Sequence, residues 1–279
     1  MHLVTDPFSG DVLQRALLGC LLVATVCALV GAWVLARGLA FFGDALAHGV
    51  LPGVAIASVW GVDLMLGAIV SAIVMIGGVN LVHRTTRLSD DAGIGLLFVG
   101  MLAFGVIVLS DDGHHEELTE FLFGDVLGVG TTDLVVGAIV LAVALIGLVL
   151  GHRAFLALAV NTEKAAALGL RPGLAHMAML ALLTLAVVGS FQVVGTLLVF
   201  GFLVAPPATA VLLRRRVPET MAISVAAAWL AVFVGMIISH HAATPASATV
   251  AVVAVTQFFV VLAAVELGSA LRHPAPAPA

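Results

Sequence analysis

The chain has 279 residues, of which 62% are hydrophobic and 10% are charged, with a net charge of -5 and a mean hydropathy of +1.23. Soluble domains are about a quarter charged residues, so this composition excludes an ordinary soluble enzyme or nucleic-acid-binding domain. It predicts a polytopic, all-α membrane protein, with a single transmembrane domain over residues 1–271. The proline-rich residues 272–279 are expected to form a disordered tail.

Nine segments are long and apolar enough to cross a bilayer, since a spanning helix needs about 20 apolar residues. They are 14–35, 43–60, 64–83, 92–109, 133–151, 174–190, 193–213, 219–239 and 247–269. None shows the alternation of a membrane β-strand. The loss or merging of one segment would leave eight, so we expect a bundle of eight to nine transmembrane helices.

The basic residues orient this bundle. In the nine-span arrangement every lysine and arginine except Arg15 falls on one side of the membrane. Short cytoplasmic loops are enriched in Lys and Arg, so that side is predicted to be cytoplasmic. The N-terminus then lies outside and the C-terminus inside.

The stretch from Arg37 to Gly53 carries the clearest chemical signal. Asp44 and His48 are four residues apart, which places both on one face of a helix. A carboxylate and an imidazole are both good ligands for a divalent cation, and an ionisable residue within a membrane span indicates a functional site. Pro52 should free the carbonyl of His48 and kink the segment. The alternative is a buried pair that satisfies itself at a helix crossing.

Two loops stand out on opposite sides of the membrane. The outer loop, Ser110 to Asp133, is acidic and contains neither Lys nor Arg, as expected of a mouth that concentrates cations or docks a partner. In the inner loop, Gly151 to Pro172, Asn161 or Thr162 can cap a short helix that Gly169 ends. That helix could dock a soluble subunit, or each loop could simply be solvated or rest on lipid.

Two further motifs occur near span ends. Pro206 and Pro207 are expected to break the helix at the inner end of the segment 193–213. His240 and His241, at the outer end of 219–239, are candidates to take or pass a cation, although a histidine there is more often only interfacial.

The chain resembles the membrane permease subunits of zinc/manganese-type metal ABC importers. The resembling blocks are R-G-L-A-F-F-G-D-A-L-A-H-G-V-L-P-G-V-A (37–55), F-L-F-G-D-V-L-G (121–128), N-T-E-K-A-A-A-L-G-L (161–170), V-G-T-L-L-V-F-G-F-L-V-A-P-P-A-T-A (194–210) and S-H-H-A-A-T-P-A-S-A-T-V (239–250). They follow the family's order over most of the chain.

The resemblance implies a homodimeric or otherwise paired permease in a prokaryotic plasma membrane, with a pore at the dimer axis. It implies cytoplasmic ATP-binding subunits and an extracytoplasmic metal-binding receptor as partners. Asp44 and His48 would line the metal path. The block 161–170 resembles the helix that meets the ATPase, with Asn161, Glu163, Lys164, Ala167 and Gly169 as coupling residues.

One departure from the family concerns the last block, which usually reads D-x-P-x-G-A. Here Ala243 and Ser247 stand at the aspartate and glycine positions. His240 or His241 could substitute for the missing carboxylate, which leaves the choice of metal open.

The resulting hypothesis is a transport subunit without enzymatic activity of its own, because the chain has no Walker A motif and needs a separate ATPase. Its cargo would be a divalent transition metal, with no permanently bound cofactor. Zinc is favoured over manganese or iron because the candidate ligands are rich in histidine. The alternatives are a siderophore- or vitamin-type ABC permease and a secondary metal transporter.

Overall fold

The computed structural model describes residues 10–86, 88, 90–111, 124–126, 128–160, 171–214 and 216–272. Those residues form ten helices and no strand, which confirms the predicted all-α bundle. The helices are α1 (Asp11–Ala36), α2 (Ala40–Gly49), α3 (Leu51–Trp60), α4 (Leu64–Thr85), α5 (Asp90–Asp111), α6 (Thr131–Val160), α7 (Pro172–Val188), α8 (Phe191–Leu213), α9 (Val217–Ala242) and α10 (Ala246–Arg272).

Each of the nine apolar segments predicted to span the membrane coincides with helical structure. Eight stretches of the described residues are long and apolar enough to cross a bilayer, and α2 and α3 together make one of them, Ala40–Trp60. The ninth segment forms α7, which has only 17 residues. At 1.5 Å per residue α7 is roughly 25 Å long, a little less than the hydrocarbon thickness of about 30 Å.

Contacts between helix ends agree with the predicted topology, in which successive spans cross the membrane in alternating directions. Leu13, Asp125 and Thr244 line one cavity, so the start of α1, the segment before α6 and the turn after α9 share one end of the bundle. At the opposite end the Arg37 guanidinium donates a hydrogen bond to the Leu158 carbonyl. These are the outer and inner ends, respectively, that the distribution of basic residues predicts.

The core of the bundle is α1, whose sequence of small and branched apolar residues is buried over most of its length. It packs against α8, α9 and α6. Helices α4, α5, α6 and α10 are largely exposed, with branched and aromatic side chains such as Ile73, Phe104 and Leu150 facing outwards. This arrangement fits a protein whose outer surface is solvated by lipid.

The prediction that Pro206 and Pro207 break their helix is wrong. α8 continues through both prolines to Leu213, and its one non-helical residue is Gly195, with φ 75° and ψ 163°. Pro207 removes the N–H that would bond the Leu203 carbonyl, and that carbonyl lies against Gly31 of α1, where any side chain would collide with it. The absence of a side chain at Gly31 lets α1 approach the freed carbonyl, so the helix need not break.

Helices α3 and α4 cross through a pair of glycines. A Cβ at Gly53 would collide with the Gly67 carbonyl, and a Cβ at Gly67 would collide with the Gly53 carbonyl. Small residues allow such close backbone approach between membrane helices. The crossing therefore fixes α4 directly beside the end of the segment that carries Asp44 and His48.

We expect Gly67→Ala to destabilise the folded chain, because the new methyl group meets backbone that cannot move aside. Overpacking of this kind typically costs about 1–3 kcal/mol. Gly77→Ala is the matched control on the same helix, since a Cβ at Gly77 would have no neighbouring atom within 4 Å. It should be neutral or stabilising by up to about 1 kcal/mol. Thermal unfolding of both variants in detergent measures the difference in stability. Equal melting temperatures for Gly67→Ala and Gly77→Ala would contradict the close approach of α3 and α4 at Gly67.

Candidate functional site

The Asp44–His48 pair occupies the half-exposed face of the short helix α2. His48 Nε2 lies 3.6 Å from Asp44 Oδ1, and the two side chains are 23% and 26% exposed. The residues between them, Ala45 to Ala47, are fully buried. The helix therefore turns its apolar side into the bundle and presents the two ligand-type side chains together, as their spacing predicts.

Helix α5 forms the wall beside this pair. The His48 ring lies 5.8 Å from the Phe98 ring, centroid to centroid, at an interplanar angle of 58°. Nearer the inner end, Phe41 of α2 lies near Gly95 of α5. The Phe41 side chain is 43% exposed. The aromatic contact restricts the orientation of the imidazole while the open side of α2 stays accessible.

A helix interruption follows His48 immediately. α2 ends at Gly49 and α3 begins at Leu51, with Val50 between them. The Gly53 N–H donates a hydrogen bond of 3.1 Å to the Val50 carbonyl instead of to the Gly49 carbonyl, its usual partner in an α-helix. The Gly49 carbonyl accepts a hydrogen bond of 2.8 Å from the Ser71 hydroxyl of α4. The helix is interrupted next to Pro52, as predicted, but the carbonyl that a neighbouring helix satisfies is that of Gly49 and not the predicted His48 carbonyl.

The pair lies deep in the membrane-spanning region. Arg37, bonded to the Leu158 carbonyl, marks the inner end of the bundle. His48 follows it by 11 residues, roughly 16 Å at 1.5 Å per residue. That is about half of the hydrocarbon thickness, so a cation held here would be far from either aqueous phase.

One chain does not complete a metal site around this pair. Within the described part of the chain no group of three or more His, Cys, Asp or Glu side chains is placed to hold a metal ion. Zinc usually takes about four protein or water ligands, and manganese takes more. The pair supplies two, which leaves the other positions for water or for a second chain.

The side chains of His240 and His241 lie in different environments at the outer end of α9. His241 Nδ1 lies 2.8 Å from the Ile237 carbonyl oxygen of its own helix, whereas His240 lines a cavity that Asp125 also lines. The role of both histidines in metal transfer stays a prediction.

The candidate ATPase-coupling residues, Asn161, Glu163, Lys164, Ala167 and Gly169, lie outside the described residues. The same holds for residues 112–123 of the acidic outer loop and for the tail residues 273–279. The predictions made for these segments stay predictions.

Sequence reasoning missed two side chains that the fold brings to the Asp44–His48 pair. Ser71 satisfies the carbonyl next to His48, and Phe98 contacts the His48 ring. Asp125 was expected only as part of the acidic outer loop, and the fold places it in one cavity with His240. A buried serine among apolar residues of α4 was the one available signal, because a hydroxyl inside a membrane span needs a partner.

Comparison with known proteins gives consistent matches over nearly the whole chain. The model of the ABC 3 transport family matches residues 9–265. The Haemophilus influenzae "Probable iron transport system membrane protein" is 32% identical over 258 residues, which cover 92% of this chain and 95% of the relative. The Listeria monocytogenes "Manganese transport system membrane protein MntC" is 32% identical, with 89% of each chain covered.

A solved structure also matches the fold. The structure described as "PsaBC from Streptococcus pneumoniae in complex with Fab" superposes with a TM-score of 0.85 at 28% sequence identity, and the match covers 94% of each chain.

We expect Ser71→Ala to destabilise the interruption after His48, because it leaves the buried Gly49 carbonyl without its hydroxyl donor. An unsatisfied buried polar group costs about 1–3 kcal/mol. Thr85→Ala is the matched control, since the Thr85 hydroxyl is exposed and only bonds the Leu81 carbonyl of its own helix. Amide hydrogen exchange at Leu51, Gly53 and Val54 should become faster in Ser71→Ala and not in Thr85→Ala. An unchanged rate in both variants would refute the role of Ser71.

Proposed function

The chain belongs to the ABC 3 transport family, and from this premise we propose that it is the membrane permease subunit of an ABC importer for a divalent transition metal. It is a multi-pass plasma-membrane protein, as the eight candidate spans among its described residues and its bacterial relatives indicate. The relatives' names concern iron and manganese transport, which supports a metal cargo for this chain.

The observation that carries the proposal is the Asp44–His48 pair in the middle of a span. A bare cation that leaves water must be given ligands along its path, whereas a large organic chelate brings its own. A carboxylate also compensates part of the cation's charge in a medium where an isolated charge is costly. The half-exposed pair therefore fits the transfer of an ion rather than of a bulky vitamin or siderophore.

Two copies of the chain would complete the site. If the open faces of two α2 helices meet at a dimer axis, each chain contributes one carboxylate and one imidazole. The result is a four-ligand nitrogen and oxygen site that suits several first-row divalent metals. Such a site must stay weak or open to water, because conduction requires release as well as binding.

The His48 imidazole must carry no proton on Nε2 if that atom is to bind a metal. Asp44, one turn away, then serves as the anionic ligand. The contact with Phe98 and the hydrogen bond from Ser71 to the Gly49 carbonyl both limit how far the His48 ring can move. These residues position the ligand; Asp44 and His48 would contact the metal.

Energy for transport would come from separate cytoplasmic ATP-binding subunits. The chain has no Walker A motif, and the segment 161–170, with Asn161, Glu163, Lys164, Ala167 and Gly169, is proposed to dock them. An extracytoplasmic metal-binding receptor would deliver the ion to the outer end of the bundle. We propose that the chain holds no permanent cofactor and that the metal is cargo only.

We expect Asp44→Asn and His48→Gln to abolish metal uptake while the chain still folds and inserts. Each removes one ligand, and affinity should fall by at least about 100-fold, since even outer-shell partners of metal ligands cost 10–100-fold. The measurement is uptake of radiolabelled metal by proteoliposomes containing the complete transporter. Asp63→Asn is the control: Asp63 caps α4 by accepting a hydrogen bond from the Leu66 N–H, and asparagine caps equally well. Normal uptake by the Asp44 or His48 variant would refute the site.

The identity of the metal is tested by competition. The histidine content predicts zinc, while the named relatives support manganese or iron. Cells in which the gene is deleted should lose uptake of one radiolabelled ion among zinc, manganese and iron(II), and the restored gene should recover it. A defect confined to manganese or iron would overturn the zinc preference alone. A defect only for an organic chelate would instead assign the chain to the siderophore or vitamin class.

A further inference from the structure

A carboxylate and an imidazole also line one cavity at the outer end of the bundle. Asp125, in the segment before α6, and His240, near the end of α9, line the same cavity of about 420 Å³. The cavity also includes Leu13 of α1 and the turn from Ala243 to Ser247. We call it the outer cavity; residues from three distant parts of the chain form it.

Both potential ligands are exposed, and a hydrogen bond fixes the orientation of one of them. Asp125 Oδ1 accepts a hydrogen bond of 2.8 Å from the Gly128 N–H, which fixes the orientation of the carboxylate. Gly124, just before Asp125, has φ 67°, and any side chain there would collide with the backbone of Gly195. The segment that carries Asp125 is thereby seated on the non-helical break of α8.

Two short polar side chains lie in the otherwise largely apolar lining of the outer cavity. Ser247 is 2% exposed and Ser239 is 8% exposed. The Ser239 hydroxyl donates a hydrogen bond of 2.6 Å to the Thr244 carbonyl, which closes the turn after α9. Hydroxyl oxygens beside a carboxylate and an imidazole offer a cation a recess with room for its remaining waters.

The turn after α9 has an unusual backbone. Ala243 has φ 50°, and among the described residues it is the one non-glycine with positive φ. Asparagine and aspartate adopt this left-handed conformation more readily than alanine. Because Ala243 lines the outer cavity, an aspartate there would add a carboxylate to the cavity without added backbone strain.

We propose that the outer cavity is a second, weak binding site for the transported divalent cation, with Asp125 and His240 as its protein ligands. It would receive the ion at the outer surface before the ion reaches the Asp44–His48 pair. This role rests on the proposed function, but binding at the outer cavity does not depend on it. Two protein ligands with water in the other positions give the loose binding that onward transfer requires.

Direct binding of Mn²⁺ tests the proposal without any transport step. The full-length chain carrying Asp44→Asn and His48→Gln is reconstituted in nanodiscs, so that the pore pair does not contribute. Free Mn²⁺ is followed by its electron paramagnetic resonance signal. Adding Asp125→Asn or His240→Gln should weaken binding roughly tenfold, a free-energy change of about 1.4 kcal/mol.

Two matched controls identify the cause. Asp63→Asn removes the same charge from the same end of the bundle, but away from the outer cavity, and should leave Mn²⁺ affinity unchanged. Ala243→Asp should tighten binding about tenfold, whereas Ala243→Asn gives the same relief of backbone strain without a charge and should not.

Three outcomes overturn the proposal. They are equal effects of Asp125→Asn and Asp63→Asn, equal effects of Ala243→Asp and Ala243→Asn, and no measurable Mn²⁺ binding by the chain that lacks the pore pair. None of these outcomes bears on the Asp44–His48 site, whose failure would appear separately as normal uptake by the Asp44→Asn or His48→Gln transporter.

Discussion

A peptide carbonyl that loses its helical N–H inside a bilayer must find another partner, because lipid offers none. This requirement shapes the surroundings of the Asp44–His48 pair. The interruption at Val50 frees the Gly49 carbonyl, and Ser71 reaches it only because Gly53 and Gly67 let α3 and α4 approach closely. The glycine crossing, the serine and the orientation of His48 thus depend on one another.

Packing against a neighbouring helix explains why two prolines leave α8 intact, whereas a glycine interrupts it. The carbonyl that Pro207 frees is covered by α1 at Gly31, so the helix continues. Gly195 adopts a conformation that is essentially restricted to glycine, and the backbone of Gly124 packs against it. Which residue ends a membrane helix is therefore decided by the neighbouring helix as much as by the residue itself.

These contacts mark the limit of what the sequence could predict. The spans were predictable because length and apolar composition are local properties, and the Asp44–His48 contact was predictable because helix geometry fixes side chains four residues apart. The error at Pro206 and Pro207 arose because intrinsic propensity was used where packing decides. No local signal distinguishes Gly195 among 29 glycines. Likewise, the cavity that Asp125 shares with His240 exists only in the folded chain, and the ligands that would complete a metal site at α2 are not supplied by the described residues of one chain.

The length of α6 has a mechanical consequence. Its 30 residues extend for about 45 Å at 1.5 Å per residue, against a hydrocarbon thickness of about 30 Å. Arg153 is expected to lie near the inner boundary, at the end of the bundle that Arg37 marks. There the Leu158 carbonyl is held by Arg37, three residues before the first residue of α2. A force applied to the chain after Val160 would therefore be transmitted from the end of α6 to α2 directly through this hydrogen bond. Work done in the cytoplasm could thus act at the base of the helix that carries Asp44.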